Sequence, residues 1–157
     1  MVTPHQLIRE GVGDARTALL WDRAGGIVAT GAMDAACDAG LRVHIVTPQF
    51  MVAEDTDTVQ RIPLYERLLS NGAIFMPNAD LVRIEAGEAV VQNVYSHEES
   101  RLGPFDLLIG WSGPAAMDNL MDAATNQGIE AHLAGDALSP RTADVAFAEG
   151  AMIAREI

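Results

Sequence analysis

The chain has 157 residues, room for one domain of ordinary size plus a fragment of another. That length excludes an eightfold α/β barrel and excludes two complete dinucleotide-binding domains. Ten basic residues, all arginine, face 22 acidic ones for a net charge of −12, which argues against nucleic acid or an anionic membrane surface as partner.

Apolar residues make up 49% of the chain, enough for a real core. No apolar run approaches the ~20 residues that span a bilayer. Met1 to Gln6 lacks the basic start and apolar stretch of a signal peptide, so a soluble, cytoplasmic chain is expected. The lone Cys37 predicts no internal disulfide and no private zinc or iron–sulfur site.

Along the chain, Thr17 to Asp22 reads as a short buried strand and Arg23 to Gly26 as a turn. Ile27 to Ala39 reads as a small-residue helix that Gly40 closes. Val43 to Thr47 is the next strand, ending at Pro48, and together these segments have the form of a right-handed βαβ unit. Thr58 to Asn71 predicts a helix with a break or a start near Ile62, because Pro63 is awkward in a helix interior. Ala73 to Met76 is a third strand, and Ala79 to Glu85 with Ala89 to Tyr95 predicts an antiparallel hairpin turning at Ala86-Gly87-Glu88. Phe105 to Gly110 reads as a strand, followed by Pro114 at a loop or helix start and an alanine-rich helix to about Gln127. A short strand, Ala131 to Ala134, and a helix from about Thr142 to Glu156 close the chain. The expected fold class is α/β: a Rossmann-like parallel sheet flanked by helices, an antiparallel hairpin or meander, and a C-terminal strand–helix.

The first βα turn is the natural place for a nucleotide. A dinucleotide fingerprint needs Gly-x-Gly-x-x-Gly there, for the tight turn, close approach to pyrophosphate, and helix–strand packing. Its three positions are Ala24, Gly26 and Ala29, so only the middle glycine survives, with Gly25 beside it. The acid that would hold the adenosine ribose is replaced by Thr47, and Asp22 puts a carboxylate beside any pyrophosphate. The turn is either a nicotinamide-nucleotide site or a Rossmann scaffold that no longer binds one. The missing residues favour the scaffold, and NAD(P)H is not expected to bind.

Three stretches resemble one known family. Thr3 to Ile8, then Ala18 to Asp22 through Gly40 with Val43 to Pro48, and Gly135-Asp136-Ala137-Leu138-Ser139-Pro140-Arg141 with Glu149-Gly150 and Ala154 to Ile157 are similar to the C-terminal portion of iron–sulfur flavoproteins related to trimethylamine dehydrogenase and 2,4-dienoyl-CoA reductase. The resemblance covers nearly the whole chain. It implies a connecting segment over residues 1–16, an NAD(P)H-domain-like Rossmann domain over 17–128, and an FAD-domain-like strand and helix over 129–157. It also implies that a larger partner chain carries the barrel, FMN and the four-iron cluster. FAD or ADP would then be shared between the two chains in a hetero-oligomer.

By that resemblance the cofactor-binding residues are Gly135, Asp136, Pro140, Arg141 and Thr142, with Gly25 and Gly26 in the first loop. The resemblance puts Asp136 on the ribityl or pyrophosphate part of a flavin nucleotide; read alone, it is a carboxylate capping free N–H groups at a helix start. Arg141 either pairs with a phosphate or forms a surface ion pair. His44 and His132 read as structural histidines, His5 and His97 as loop residues, and Trp21 and Trp111 as core or interface anchors. No catalytic or metal-ligating residues are identified. The final helix is apolar on more than one side, through Val145, Phe147, Met152 and Ile153, and calls for burial against something else. The expected role is a non-catalytic subunit of a flavin/iron–sulfur oxidoreductase of methylated-amine dehydrogenase type. The rival roles are an independent NAD(P)H-dependent reductase or diaphorase, and a ligand-free scaffold.

Overall fold

The computed structural model describes residues 1–156, which form two compact units, one from Met1 to Ser112 and one beginning at Gly113. No helix among the described residues is long and apolar enough to cross a membrane.

The first unit is built on a four-stranded parallel sheet. Its strands are β1 (Thr17–Asp22), β2 (Arg42–Val46), β3 (Ile74–Met76) and β7 (Leu107–Trp111), in the spatial order β3-β2-β1-β7. β1 is central because its run Ala18-Leu19-Leu20 is apolar on both faces, as a strand covered on both sides must be. Ala18 and Leu20 point to one core with Met33, Ile45, Leu64 and Leu68, which α2 (Ile27–Asp38) and α3 (Thr58–Ser70) cover. Leu19 points the other way, into a second core with Val46, Ala79, Ala89 and Val91. That face is covered by a three-stranded antiparallel sheet of β4 (Ala79–Glu85), β5 (Glu88–Asn93) and β6 (Glu99–Leu102).

Several elements differ from the sequence reading. Thr3 to Ile8 was expected only as a connector, yet Pro4–Glu10 forms helix α1, opened by a capping box in which Thr3 and Gln6 bond each other's backbone. Helix α3 starts at Thr58 on an Asp57 cap and runs unbroken through Pro63. Pro63 is solvent-exposed, so the carbonyl it leaves unpaired one turn earlier lies where water can reach it. β6 makes a meander of the predicted hairpin. It pairs with β5 from Glu99 to Leu102, Leu102 packs on the second core, and on the exposed face Arg83 pairs with Glu99, and Arg101 with Glu85 and Glu88.

Asp106 fixes the start of β1. Its Oδ2 accepts from the Arg16 and Thr17 N–H groups at 2.9 and 3.0 Å and from the Thr17 hydroxyl at 3.0 Å. Those donors, with the Arg16 N–H first among them, hold the Asp106 carboxyl below its ordinary pKa. The stabilisation is present above the ordinary carboxylate pKa and is lost as pH falls through the depressed one. Asp106→Asn should therefore melt lower than the parent at neutral pH, and the gap should close on acidification; thermal scans at stepped pH measure it.

The second unit holds α4 (Asn119–Asn126), a 3-10 turn at Gly135–Ala137 and α5 (Ala143–Ile153). Of the two readings of Pro114, loop or helix start, the loop holds, and the helix begins at Asn119 after the Asp118 cap. The strand expected over Ala131 to Ala134 is not formed. The backbone is extended at Ala134, with φ −143 and ψ 159, but no strand lies beside it to complete a ladder. Residues 113–156 have no buried side chain, and Phe147 is 80% exposed.

Candidate nucleotide-binding site

The C-terminal end of the parallel sheet is where an open α/β fold places a ligand. There the loop from β1 to α2 carries the predicted Gly25 and Gly26. Gly25 sits at φ +69, a conformation that favours glycine, and the Gln49 carboxamide lies over it in the space a Cβ would take. Gly26 caps α2 with extended backbone and supplies no side-chain bond to the helix N-terminus.

Two of the turn's backbone donors are already engaged. Asp22, 1% exposed at the end of β1, accepts from the Ala24 N–H and the Gly25 N–H at 3.0 Å each. Its Oδ2 is buried without a partner, and burial pushes its pKa up against the two backbone bonds that pull it down. A carboxylate of this chain therefore sits on the turn just before the α2 N-terminus, where its charge opposes that of an incoming phosphate. Asp22 was recognised in the sequence as unfavourable to pyrophosphate. Its seat on the loop N–H groups was not, although Asp with Gly three residues on is an Asx-turn pattern.

Thr47, at the ribose-acid position, is fully buried, and its hydroxyl accepts from the Gln49 N–H at 3.3 Å. Gln49 was missed altogether; nothing in its sequence context marks a side chain folded over a glycine on the far side of α2 and β2. Asp80 was missed too. It accepts from Trp21 Nε1 at 2.6 Å and lies 3.8 Å from Arg23 Nε, fastening the mouth of the loop to β4.

In the second unit, Glu149 organises the predicted residues. Its Oε2 accepts from the Gly135 N–H at 2.8 Å, and its Oε1 pairs with the Arg141 guanidinium. Gly135, at φ +58, lies so close to α5 that an added Cβ would come within 3.1 Å of Ala146. Arg141 also donates to the Ser139 carbonyl at 3.2 Å. Thr142 is the N-cap residue of α5 but makes no side-chain cap bond, and Pro140 precedes it half-buried beside Arg141. Hydrogen bonds from the Thr142 hydroxyl and then from its own and the Val145 N–H hold the Asp144 carboxyl below its ordinary pKa. Asp136 lies exposed in the 3-10 turn. Glu149 thus gathers Gly135 and Arg141, while Asp136 faces solvent. Among the described residues no group of His, Cys, Asp and Glu is arranged to hold a metal ion.

No protein-family model and no curated protein matches the chain. Solved structures do. Histamine dehydrogenase from Rhizobium sp. 4-9 superposes with a TM-score of 0.82 at 22% identity, over 99% of this chain and 26% of that one. The 6-hydroxypseudooxynicotine amine oxidase HisD of Pseudomonas geniculata N1 gives 0.82 at 17% identity, over 95% and 23%. A 2-naphthoyl-CoA reductase gives 0.79 at 13% identity, over 99% and 23%. The chain has the fold of part of the trimethylamine dehydrogenase and 2,4-dienoyl-CoA reductase family. It spans about a quarter of each of these three larger oxidoreductases, and at such identities the likeness is one of fold. Within that family fold, the first loop is the one closed by Asp22 and Gln49.

Proposed function

We propose that this chain is a small, non-catalytic subunit of a flavin/iron–sulfur oxidoreductase. A larger chain would carry FMN, the four-iron cluster and the active site, and this one would complete its FAD- or ADP-binding domain. The complex would dehydrogenate or demethylate a methylated amine, or reduce an enoyl compound. The observation that carries the reading is the second unit: residues 113–156 adopt ordered helices yet bury no side chain, with Met117, Leu120, Leu138, Phe147 and Met152 in solvent. Ordering a backbone costs roughly 1–2 kcal/mol per residue, and burial is the main force that offsets it. A covering surface on another chain supplies that burial. The likeness in fold to about a quarter of larger oxidoreductases supports a partner of that kind.

The residues fit part of such a nucleotide. The exposed carboxylate of Asp136 is suited to accept from ribityl or ribose hydroxyls. The groups suited to phosphates, the Gly135 N–H and Arg141, are held by Glu149 and would have to leave it to bind them. FAD or ADP would supply the adenine-nucleotide moiety at this end. The first loop favours no second nucleotide, because the Asp22 carboxylate lies on its turn and the ribose-binding acid is replaced by the buried Thr47.

Co-expression with a candidate FMN/iron–sulfur chain tests the reading. The expected result is co-purification at a fixed ratio, with FAD or ADP released when the complex is denatured. A monodisperse monomer that ignores the larger chain, with amide protection through α5, would overturn it. Asp136→Ala should lower nucleotide occupancy of the complex roughly tenfold to a hundredfold while the fold persists, the worth of one charge-assisted hydrogen bond of ~1.5–3 kcal/mol. Calorimetry of the chain with NADH and NADPH should show no binding; micromolar heats would revive the reductase reading.

A further inference from the structure

At the other end of the parallel sheet from the nucleotide loop, a cleft of about 440 Å³ opens between the starts of β1, β2 and β3 and the turn before β7. Its volume lies in the range of small-molecule pockets, roughly 300–1,000 Å³. In a chain with 22 acidic residues, none of the cleft's lining residues is acidic. Asp106, next to the lining residue Phe105, is turned onto the Arg16 and Thr17 donors. The one cation in the wall is Arg42, which makes no ion pair among the described residues.

The remaining wall mixes polar and apolar groups. His44 and Phe105 meet edge to face with ring centroids 5.1 Å apart, the His44 Nδ1 is buried without a partner, and Ile74 and Pro104 add apolar surface beside Thr17, Gly72 and Gly103. Burial, and then the neighbouring Arg42 charge, lower the His44 pKa, so its ring is neutral at neutral pH and the positive charge is that of Arg42 alone. Ile74 is 49% exposed, an apolar side chain offered to whatever enters.

We propose that this cleft binds a small planar carboxylate of one or two aromatic rings, with Arg42 forking onto the carboxylate while the ring lies against Phe105, His44 and Ile74. The size admits such rings, the aromatic pair supplies faces and edges for stacking, and a lone guanidinium beside an acid-free wall selects a monoanion. The assignment is independent of the nucleotide-binding reading, since the cleft lies wholly in the first unit.

Fluorine NMR of para-fluorobenzoate tests it on the full chain, alone or within its complex. The parent should broaden the ligand signal saturably, excess benzoate should restore it, and para-fluorobenzyl alcohol should bind at least about tenfold more weakly. Arg42→Gln should weaken binding by a similar factor. Ile74→Glu should do so independently by placing a carboxylate in the cleft, and both sites are exposed enough for the fold to survive. Unsaturable broadening, equal binding of the alcohol, or indifference to both substitutions would overturn the proposal.

Discussion

Phe147→Asp should abolish association with the larger chain while leaving the first unit folded. Phe147 is 80% exposed near the middle of α5, and Met152 and Leu138 are also exposed in that unit. Burying one large aromatic side chain at an interface contributes ~1.5–3 kcal/mol, and placing a carboxylate in the same dry position adds its desolvation cost. The combined loss corresponds to a hundredfold or greater weakening. Pull-down at matched concentrations reads the association. Amide protection of β1, β2 and β7 reads the fold, since their cores, around Leu20, Ile45 and Ile109, belong to the first unit. Unchanged co-purification by Phe147→Asp, and likewise by Met152→Asp, would show that the apolar face of α5 is not what holds the complex.

Asp22→Gly should lower the melting temperature and at the same time make the protein responsive to phosphate. Removing the carboxylate leaves the Ala24 and Gly25 N–H groups without their acceptor, and a buried unpaired donor costs ~1–3 kcal/mol. For a chain of this size, a net loss on the order of 2 kcal/mol lowers the melting temperature by roughly 4–8 °C. Inorganic phosphate or pyrophosphate offers the same oxygens and should recover part of that loss in the variant, with no effect on the parent beyond matched sulfate-free salt. Equal responses of the two proteins would show that the loop is no anion cradle. The pH dependence has a definite sign. The raised Asp22 pKa means the folded state keeps its proton to higher pH than the unfolded chain, so the cost of the buried charge is absent below the ordinary carboxylate pKa. That cost grows as pH rises toward the raised value. Asp22→Asn, which removes the charge, should gain on the parent across that window.

The sequence shows the central βαβ unit plainly because its signal is local. The apolar runs Thr17 to Asp22 and Val43 to Thr47 need cover on both faces, and the glycines between and after them admit turns that other residues resist. Where the signal was polar it was overlooked. The strand Glu99–Leu102 has one apolar residue, Leu102, and its other positions are exposed, Glu99 and Arg101 in cross-strand arginine–glutamate pairs, so no alternation marks it. The capping box Thr3-Pro4-His5-Gln6 was legible, but a seven-residue helix has little periodicity to support it.

What the sequence by itself determined is the α/β class, the parallel pairing of the first two strands and the loss of two fingerprint glycines, because composition and short-range pattern limit backbone choices directly. Only the tertiary structure decided how the candidate sites are arranged. It seated Asp22 on the Ala24 and Gly25 N–H groups, folded Gln49 over Gly25, and drew Gly135 and Arg141 onto Glu149. It also left Ala131 to Ala134 without a strand to pair with, since a strand needs a neighbour's N–H and C=O groups and residue preference alone does not provide them.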